Sequence, residues 1–190
     1  MLTSTSLKGT LVSDPKNLEI ELELTYLARE LPAEIAGISP RRLFDIYVPE
    51  QISRPFIRLR QKGDQYEITK KKPLNDNDSS IQSEQTIPLD KEEFSALSTS
   101  SKRSVEKDRY QVGIDGNMAE VDVFTGALEG LVVIDFEFKS IEDMQAFTPP
   151  SCCLVEVTQE LFIAGGQLAG RTYADIEDDL ARYKYVKVVA

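Results

Sequence analysis

Charged and apolar residues alternate with a period of two along much of the chain, the spacing of β-strands whose two faces differ chemically. Glu19-Ile20-Glu21-Leu22-Glu23-Leu24 puts carboxylates on one face and aliphatic side chains on the other. Phe56-Ile57-Arg58-Leu59-Arg60 does the same with guanidiniums. Gly63-Asp64 suits a tight turn, and Tyr66-Glu67-Ile68-Thr69-Lys70-Lys71 then returns as a hairpin partner. Lys107-Asp108-Arg109-Tyr110, Ala119 to Phe124, Ile134 to Phe138 and Leu154 to Thr158 alternate in the same way, and Tyr185 to Val188 reads as a terminal strand.

Short helices punctuate these strands. Asp90 with Glu93 forms a capping box ahead of Phe94 and Leu97, and Ser140 with Asp143 a similar start for a helix that stops before Pro149-Pro150. A C-terminal helix beginning at Thr172 places Ile176, Leu180 and Tyr183 on one packing stripe. Pro73 to Gln85, rich in Asn, Asp and Ser, reads as a mobile loop, and Ser98 to Ser104 as a second, with Lys102 and Arg103 solvated in it.

Many strands with few short helices predict an α+β fold built on an antiparallel sheet or barrel. The signs of the charges narrow this. Solvent faces usually mix Thr, Ser, Lys and Glu, whereas here whole strands carry one sign: Glu19, Glu21 and Glu23; Arg58 and Arg60; Lys107 and Arg109; Glu120 and Asp122; Asp135 and Glu137. Such segregation predicts a closed barrel with acidic and basic inner walls and apolar outer faces covered by helices. The competing expectations are that these faces simply meet solvent, as half of an antiparallel sheet may, and that Arg58 and Arg60 pair with the acidic strands as a structural ion-pair lattice, which stabilises weakly when buried.

Composition removes several chemistries. Across 190 residues there is no histidine, which excludes Ser-His-Asp and Cys-His catalysis and His-ligated zinc. Adjacent Cys152 and Cys153 have poor geometry for a disulfide and read as small buried hydrophobes. A metal here is therefore a hard cation on carboxylates, Mg2+ or Mn2+. The formal net charge of -10 argues against a nucleic-acid partner. Without a signal peptide or an apolar run long enough to span a bilayer, the expected location is cytoplasmic and no membrane is involved.

A lumen of this kind suits a short polyanion. Arg58, Arg60, Lys71, Lys107 and Arg109 would replace the water lost by a phosphate chain. The acidic wall would repel the same chain unless divalent cations bridged carboxylates to phosphate oxygens. With no histidine, the proton acceptor is a carboxylate, a lysine, a metal-bound hydroxide or the substrate.

These residues carry a resemblance. Glu21-Leu22-Glu23-Leu24-Thr25-Tyr26-Leu27 is similar to the signature that opens CYTH domains of the triphosphate tunnel metalloenzyme superfamily. Arg58-Leu59-Arg60-Gln61-Lys62-Gly63 and the segment to Lys71 resemble the family's paired-arginine strand and its hairpin partner. Lys107 to Tyr110, Glu120 to Phe124 with Gly126 and Gly130-Leu131, Asp135 to Phe138, and Phe147, Pro150 and Glu156 to Thr158 follow in the family's order, from about Leu18 to Leu168. The resemblance implies an eight-stranded antiparallel tunnel; with no repeat or linker to split the chain, one domain over residues 1–190 is expected, with a helical extension over about 172–184, as a monomer or homodimer.

It also implies activity on triphosphates with Mg2+ or Mn2+; family activities include inorganic triphosphatase, thiamine triphosphatase and class IV adenylyl cyclase. By position Glu21, Glu23, Asp135 and Glu137 become metal ligands, with Asp122 a further one, and Glu21, Glu23 and Glu137 the catalytic carboxylates. Arg58, Arg60, Lys71, Lys107 and Arg109 grip phosphates, and Glu19, Glu84 and Glu120 are further tunnel acids. Thr25 stands where the signature lysine belongs, and neither Lys16 nor Arg29 is an obvious substitute. Hydrolysis of inorganic triphosphate is the expectation; a non-catalytic binder of polyphosphate or nucleotide is the alternative, and a cyclase comes third because no feature builds a base pocket.

Overall fold

The computed structural model describes residues 19–54 and 56–189; Leu18, at the expected start of the core, and Lys16 lie outside the described residues. Nine strands follow in order: β1 (Glu19–Ala28), β2 (Arg41–Val48), β3 (Ile57–Lys62), β4 (Gln65–Asn75), β5 (Asp78–Leu89), β6 (Ser104–Ile114), β7 (Asn117–Phe124), β8 (Val132–Phe138) and β9 (Cys153–Glu156). They form one sheet in the order β5-β4-β3-β2-β6-β7-β8-β1-β9, and β1 also pairs with β5. That pairing closes an eight-stranded antiparallel barrel. β1 meets β5 along Glu19 to Leu22 and β9 along Tyr26 to Ala28, so β9 prolongs the edge that β5 leaves free.

Register puts the single-signed faces inside. Glu23 pairs with Glu137 and Thr25 with Asp135, which joins the acids of β1 and β8 into one wall. Arg109 pairs with Asp122, Arg60 with Asp45 and Arg58 with Tyr47 on the remaining strands. The alternate residues point outward. Ile46 and Leu59 pack beneath Phe94 of α1 (Lys91–Ser98), whose Asp90–Glu93 capping box is present in both directions. A larger apolar layer joins Tyr26, Val121, Ile134 and Phe136 to Leu168, Ile176 and Leu180 of the C-terminal region. Ser140 caps α2 (Ile141–Ala146) by accepting from Asp143 N–H, and α3 (Gly165–Leu168) and α4 (Glu177–Ala181) complete the helices.

Several sequence expectations are corrected. The polar stretch from Pro73 to Gln85 is not a loop: β4 and β5 run through it as a long hairpin with its turn between Asn75 and Asp78. Asn75 accepts from Asn77 N–H there, so its polar residues build the turn rather than a disordered span. The strand β2 has no counterpart in the alternation pattern, because both its faces are packed and Leu43 to Val48 is almost continuously apolar. Tyr185 to Val188 is not a strand: the segment is tied down by Val188 N–H to Gly130 O and by the Tyr185 hydroxyl, which donates to Gly130 O. The C-terminal helix is broken, with a 3-10 turn at Tyr173–Asp175 before α4, although Ile176 and Leu180 are buried as the stripe requires. Arg103 is not merely solvated, since its guanidinium donates to Ile52 O and Gly166 O. No helix of the described residues is long and apolar enough to cross a membrane.

Candidate active site

The barrel encloses a cavity of about 490 Å³, within the roughly 300–1,000 Å³ usual for small-molecule sites. It is lined by every site residue inferred from sequence: Glu19, Glu21, Glu23, Thr25, Arg58, Arg60, Lys71, Glu84, Lys107, Arg109, Glu120, Asp122, Asp135 and Glu137. The segregation of charge by strand thus becomes a polar interior with two walls, while the same strands' aliphatic residues form the outer layer.

Most of the cations are held by acids. Arg60 donates through Nε and Nη2 to both oxygens of Asp45, each at 2.6 Å, and the pair is buried. Arg109 donates through Nε and Nη2 to Asp122, each at 2.6 Å, and through Nη1 to Glu120. Lys107 donates to Asp122 as well. Lys71 sits between two glutamates, 2.8 Å from Glu21 and 3.0 Å from Glu23. Its approach to Glu21 Oε2 lacks hydrogen-bond direction, which leaves that buried oxygen ion-paired but without a hydrogen bond. The ion-pair lattice weighed against a substrate site is therefore real for Arg60, Lys71, Lys107 and Arg109.

Arg58 differs. It makes no ion pair among the described residues, and its buried Nε has no hydrogen-bond partner. Burial opposes its charge, yet the field of Asp45, Tyr47 and Glu84 holds it firmly cationic. A guanidinium whose inner Nε is buried without a hydrogen bond is costly to the fold and is prepared to receive an anion.

The acids divide in two. Asp122 is held well below the carboxylate range despite burial, because Arg109 and Lys107 converge on it. Burial, then repulsion by Glu23 and Asp122, pushes Asp135 up to about 8. Glu137 moves upward too, through burial and the nearby Glu120, Glu21 and Glu23. Glu23 goes down, since Lys71 outweighs its burial. The acids of β1 and β8 are thus crowded to the point that one prefers its proton, which is the electrostatic condition a bound cation relieves. Among the described residues no three acidic or thiol side chains converge on a single point.

Lys107 is lowered from its ordinary value, first by burial and then by Arg109 and Arg60, and Asp122 only partly offsets this. Sequence reasoning did not single out Asp45, whose signal is a lone acid inside the apolar run Leu43 to Val48. Tyr47 lines the cavity, whereas Tyr66 packs outside on Phe94 with ring centroids 5.0 Å apart.

No family model matches the chain. It is 37% identical over 143 residues to an inorganic triphosphatase of Nitrosomonas europaea, a match spanning 74% of this chain and 90% of that protein. Its structure is similar to the crystal structure of the inorganic triphosphatase NE1496, with TM-score 0.58 and 31% identity over 78% of this chain and 93% of the other. A second crystal structure, of the hypothetical protein NE1496, gives TM-score 0.59 and 31% identity over 80% and 99%.

Proposed function

The chain belongs to the CYTH-domain family of triphosphate tunnel metalloenzymes, and from that membership and its charged interior we propose that it hydrolyses inorganic triphosphate with Mg2+ or Mn2+. The observation that carries this reading is Arg58, a half-buried guanidinium lining the cavity, whose buried Nε has no hydrogen-bond partner. The setting we propose is the cytoplasm, where two buried thiols without a disulfide are at home.

The donors suit a hard dication. Glu21, Glu23, Asp135 and Glu137 offer only carboxylate oxygens, on cross-strand neighbours of β1 and β8, and Glu21 Oε2 is buried without a hydrogen bond. These residues would hold the ion once Lys71 withdraws from between Glu21 and Glu23, and Asp135 would give up its proton. Bound there, the cation would neutralise phosphate charge and polarise a phosphoryl oxygen.

The chain's own residues do the rest. Arg58 binds a phosphoryl group directly. Arg60 and Arg109, fixed by Asp45 and Asp122, present immobile positive charge toward the cavity, so little reorganisation is needed as charge develops in the transition state. Lys71, released by the glutamates, follows its charge onto the phosphate chain. Lys107 is an ammonium in its pair with Asp122; to accept the proton of the attacking water it must first release its own, which its reduced proton affinity favours. Phosphoryl transfer is mostly positioning and electrostatics, and these residues supply both.

The test is a phosphate-release screen over inorganic triphosphate, thiamine triphosphate, ATP and long polyphosphate, with Mg2+ and Mn2+ in turn. Release from inorganic triphosphate above the others, lost without metal, is expected; no turnover of any triphosphate would sink the proposal. Thr25, a threonine in the position of the signature lysine, favours a second reading in which the tunnel binds without turnover. Calorimetry showing tight, unhydrolysed triphosphate would select it.

A further inference from the structure

The two ends of the barrel are unlike. Glu19, Thr86 and Gln111, which line the cavities at one end, are exposed. At the other end the inward residues Tyr47, Pro73, Phe124 and Val133 are buried. The difference comes from residues 157–167, which follow β9 and cross this end as a strap. They are anchored on separate parts of the rim. Thr25 N–H donates to Thr158 Oγ1 at 3.0 Å and Val157 N–H to Thr25 O at 2.8 Å, fixing the strap to β1. Ser79 N–H donates to Gln159 Oε1 at 2.9 Å, fixing it to β5. Gln167 donates to Ser53 O, and Arg103 links Gly166 O to Ile52 O, fixing it to the loop after β2.

The strap is seated on Tyr47. Gly165 lies so close that an added Cβ would run into the Tyr47 hydroxyl, and Ile163 is buried beside it in the same apolar cluster as Phe124 and Val133. Arg58, which makes no ion pair among the described residues, is the cross-strand neighbour of Tyr47. The cation best prepared for a phosphoryl group therefore stands next to the covered end.

We infer that residues 157–167 and Tyr47 make the tunnel blind, so that a triphosphate enters with a free terminal phosphate first and any substituent must trail from the open end. This rests on the triphosphate reading above and adds a selection rule to it: one capped end is admitted, two are not. A terminal phosphoryl group fits against Arg58 because nothing need continue beyond it. A chain capped at both ends must press its ester against Tyr47 and Gly165.

The experiment is competition against inorganic triphosphate, followed by calorimetry on the intact protein. The probes are monomethyl triphosphate and a linear tetraphosphate methylated at both ends, which carry equal formal charge when fully ionised. The first is expected to compete and the second to bind more than about tenfold more weakly. Arg103→Ala, which lies outside the charged walls and loosens the strap, should narrow that ratio while triphosphate still binds. Equal competition by both probes, failure of the monomethyl ester to compete, or an unchanged ratio in Arg103→Ala would each overturn the blind tunnel. Absence of triphosphate binding altogether would instead overturn the reading beneath it.

Discussion

Asp45 and Arg60 face each other across β2 and β3 and share two hydrogen bonds of 2.6 Å inside the barrel, where neither is more than 5% exposed. Breaking such a pair strands a buried charge, so Asp45→Ala and Arg60→Ala are each expected to cost about 3–5 kcal/mol. The pair also sets an acid limit. Burial works to raise the Asp45 carboxyl, but Arg60 overrides it and holds it at about 2. Its stabilising effect is complete above the unfolded carboxyl value of roughly 3.9. It is then lost as pH falls toward about 2. Thermal melts between these limits should show that slope in the wild type and not in Asp45→Asn.

Arg58→Ala should behave in the opposite way. No acid among the described residues is ion-paired to Arg58, and Asp45, which feels its field, keeps Arg60, so removing Arg58 deletes a partly desolvated charge without stranding another. Stability should stay level or rise, while triphosphate affinity falls roughly 10- to 100-fold, the worth of a charge-assisted contact or two. Calorimetric titration beside a melting curve separates the effects. A strongly destabilised Arg58→Ala that still bound triphosphate would assign Arg58 to the scaffold.

Lys107 offers a test through pH. Its proton affinity is below that of an ordinary lysine. A base must be unprotonated to work, so the triphosphate kcat should climb with pH as Lys107 titrates. Lys107→Arg keeps the positive charge against Asp122 but cannot release a proton at these pH values. The expected result is binding within a few fold of wild type and kcat reduced about 100- to 10,000-fold, the usual range for a lost general base. A wild-type kcat that does not change with alkaline pH would remove Lys107 from this role.

How much of this was legible in the sequence varies with the physics of each segment. Strands with one face on the lumen and one on the apolar layer announce themselves by parity, as Glu19 to Leu24 and Phe56 to Arg60 do. Parity also placed Lys71 inside and Lys70 outside, because a one-residue slip would exchange the faces. β2 is covered on both sides and so loses its alternation, and Asp45 went with it. The β4–β5 hairpin was hidden by polar residues that are strand and turn formers only once β1 closes the barrel along β5. Ion pairing was the least legible feature. Composition shows acids and bases on separate strands, but which guanidinium remains without a partner depends on register around the whole ring.

Asp135 should report on the cation. Its carboxyl is raised to about 8, so in the metal-free protein the folded state holds a proton that the unfolded chain has released. Stability is therefore highest below the unfolded value near pH 4 and declines as pH rises toward about 8. Asp135→Asn removes that decline, and the metal-free variant should melt progressively higher than wild type as pH rises through this window. Added Mn2+ should then raise the melting temperature of the wild type and not of the variant. A wild-type melt that ignores both pH and Mn2+ would place the cation elsewhere.

Thr25 stands where the signature that opens CYTH domains has a lysine. Its register partner is Asp135, its side chain lines the cavity, and its amide is held by Thr158 at the foot of the strap. A lysine at this position would reach into the acidic wall as a new cation. It would lower the Asp135 carboxyl by direct Coulomb attraction and add a donor for phosphate. Thr25→Lys is expected to raise triphosphate affinity about tenfold, and kcat with it if the missing ammonium also helps orient water. Steady-state kinetics with the metal saturating would separate the effects, because a change confined to KM assigns the lysine to binding alone. If the variant folds, binds metal and leaves both constants unchanged, Thr25 is a neutral replacement, and Lys71, between Glu21 and Glu23, already fills the lysine's place.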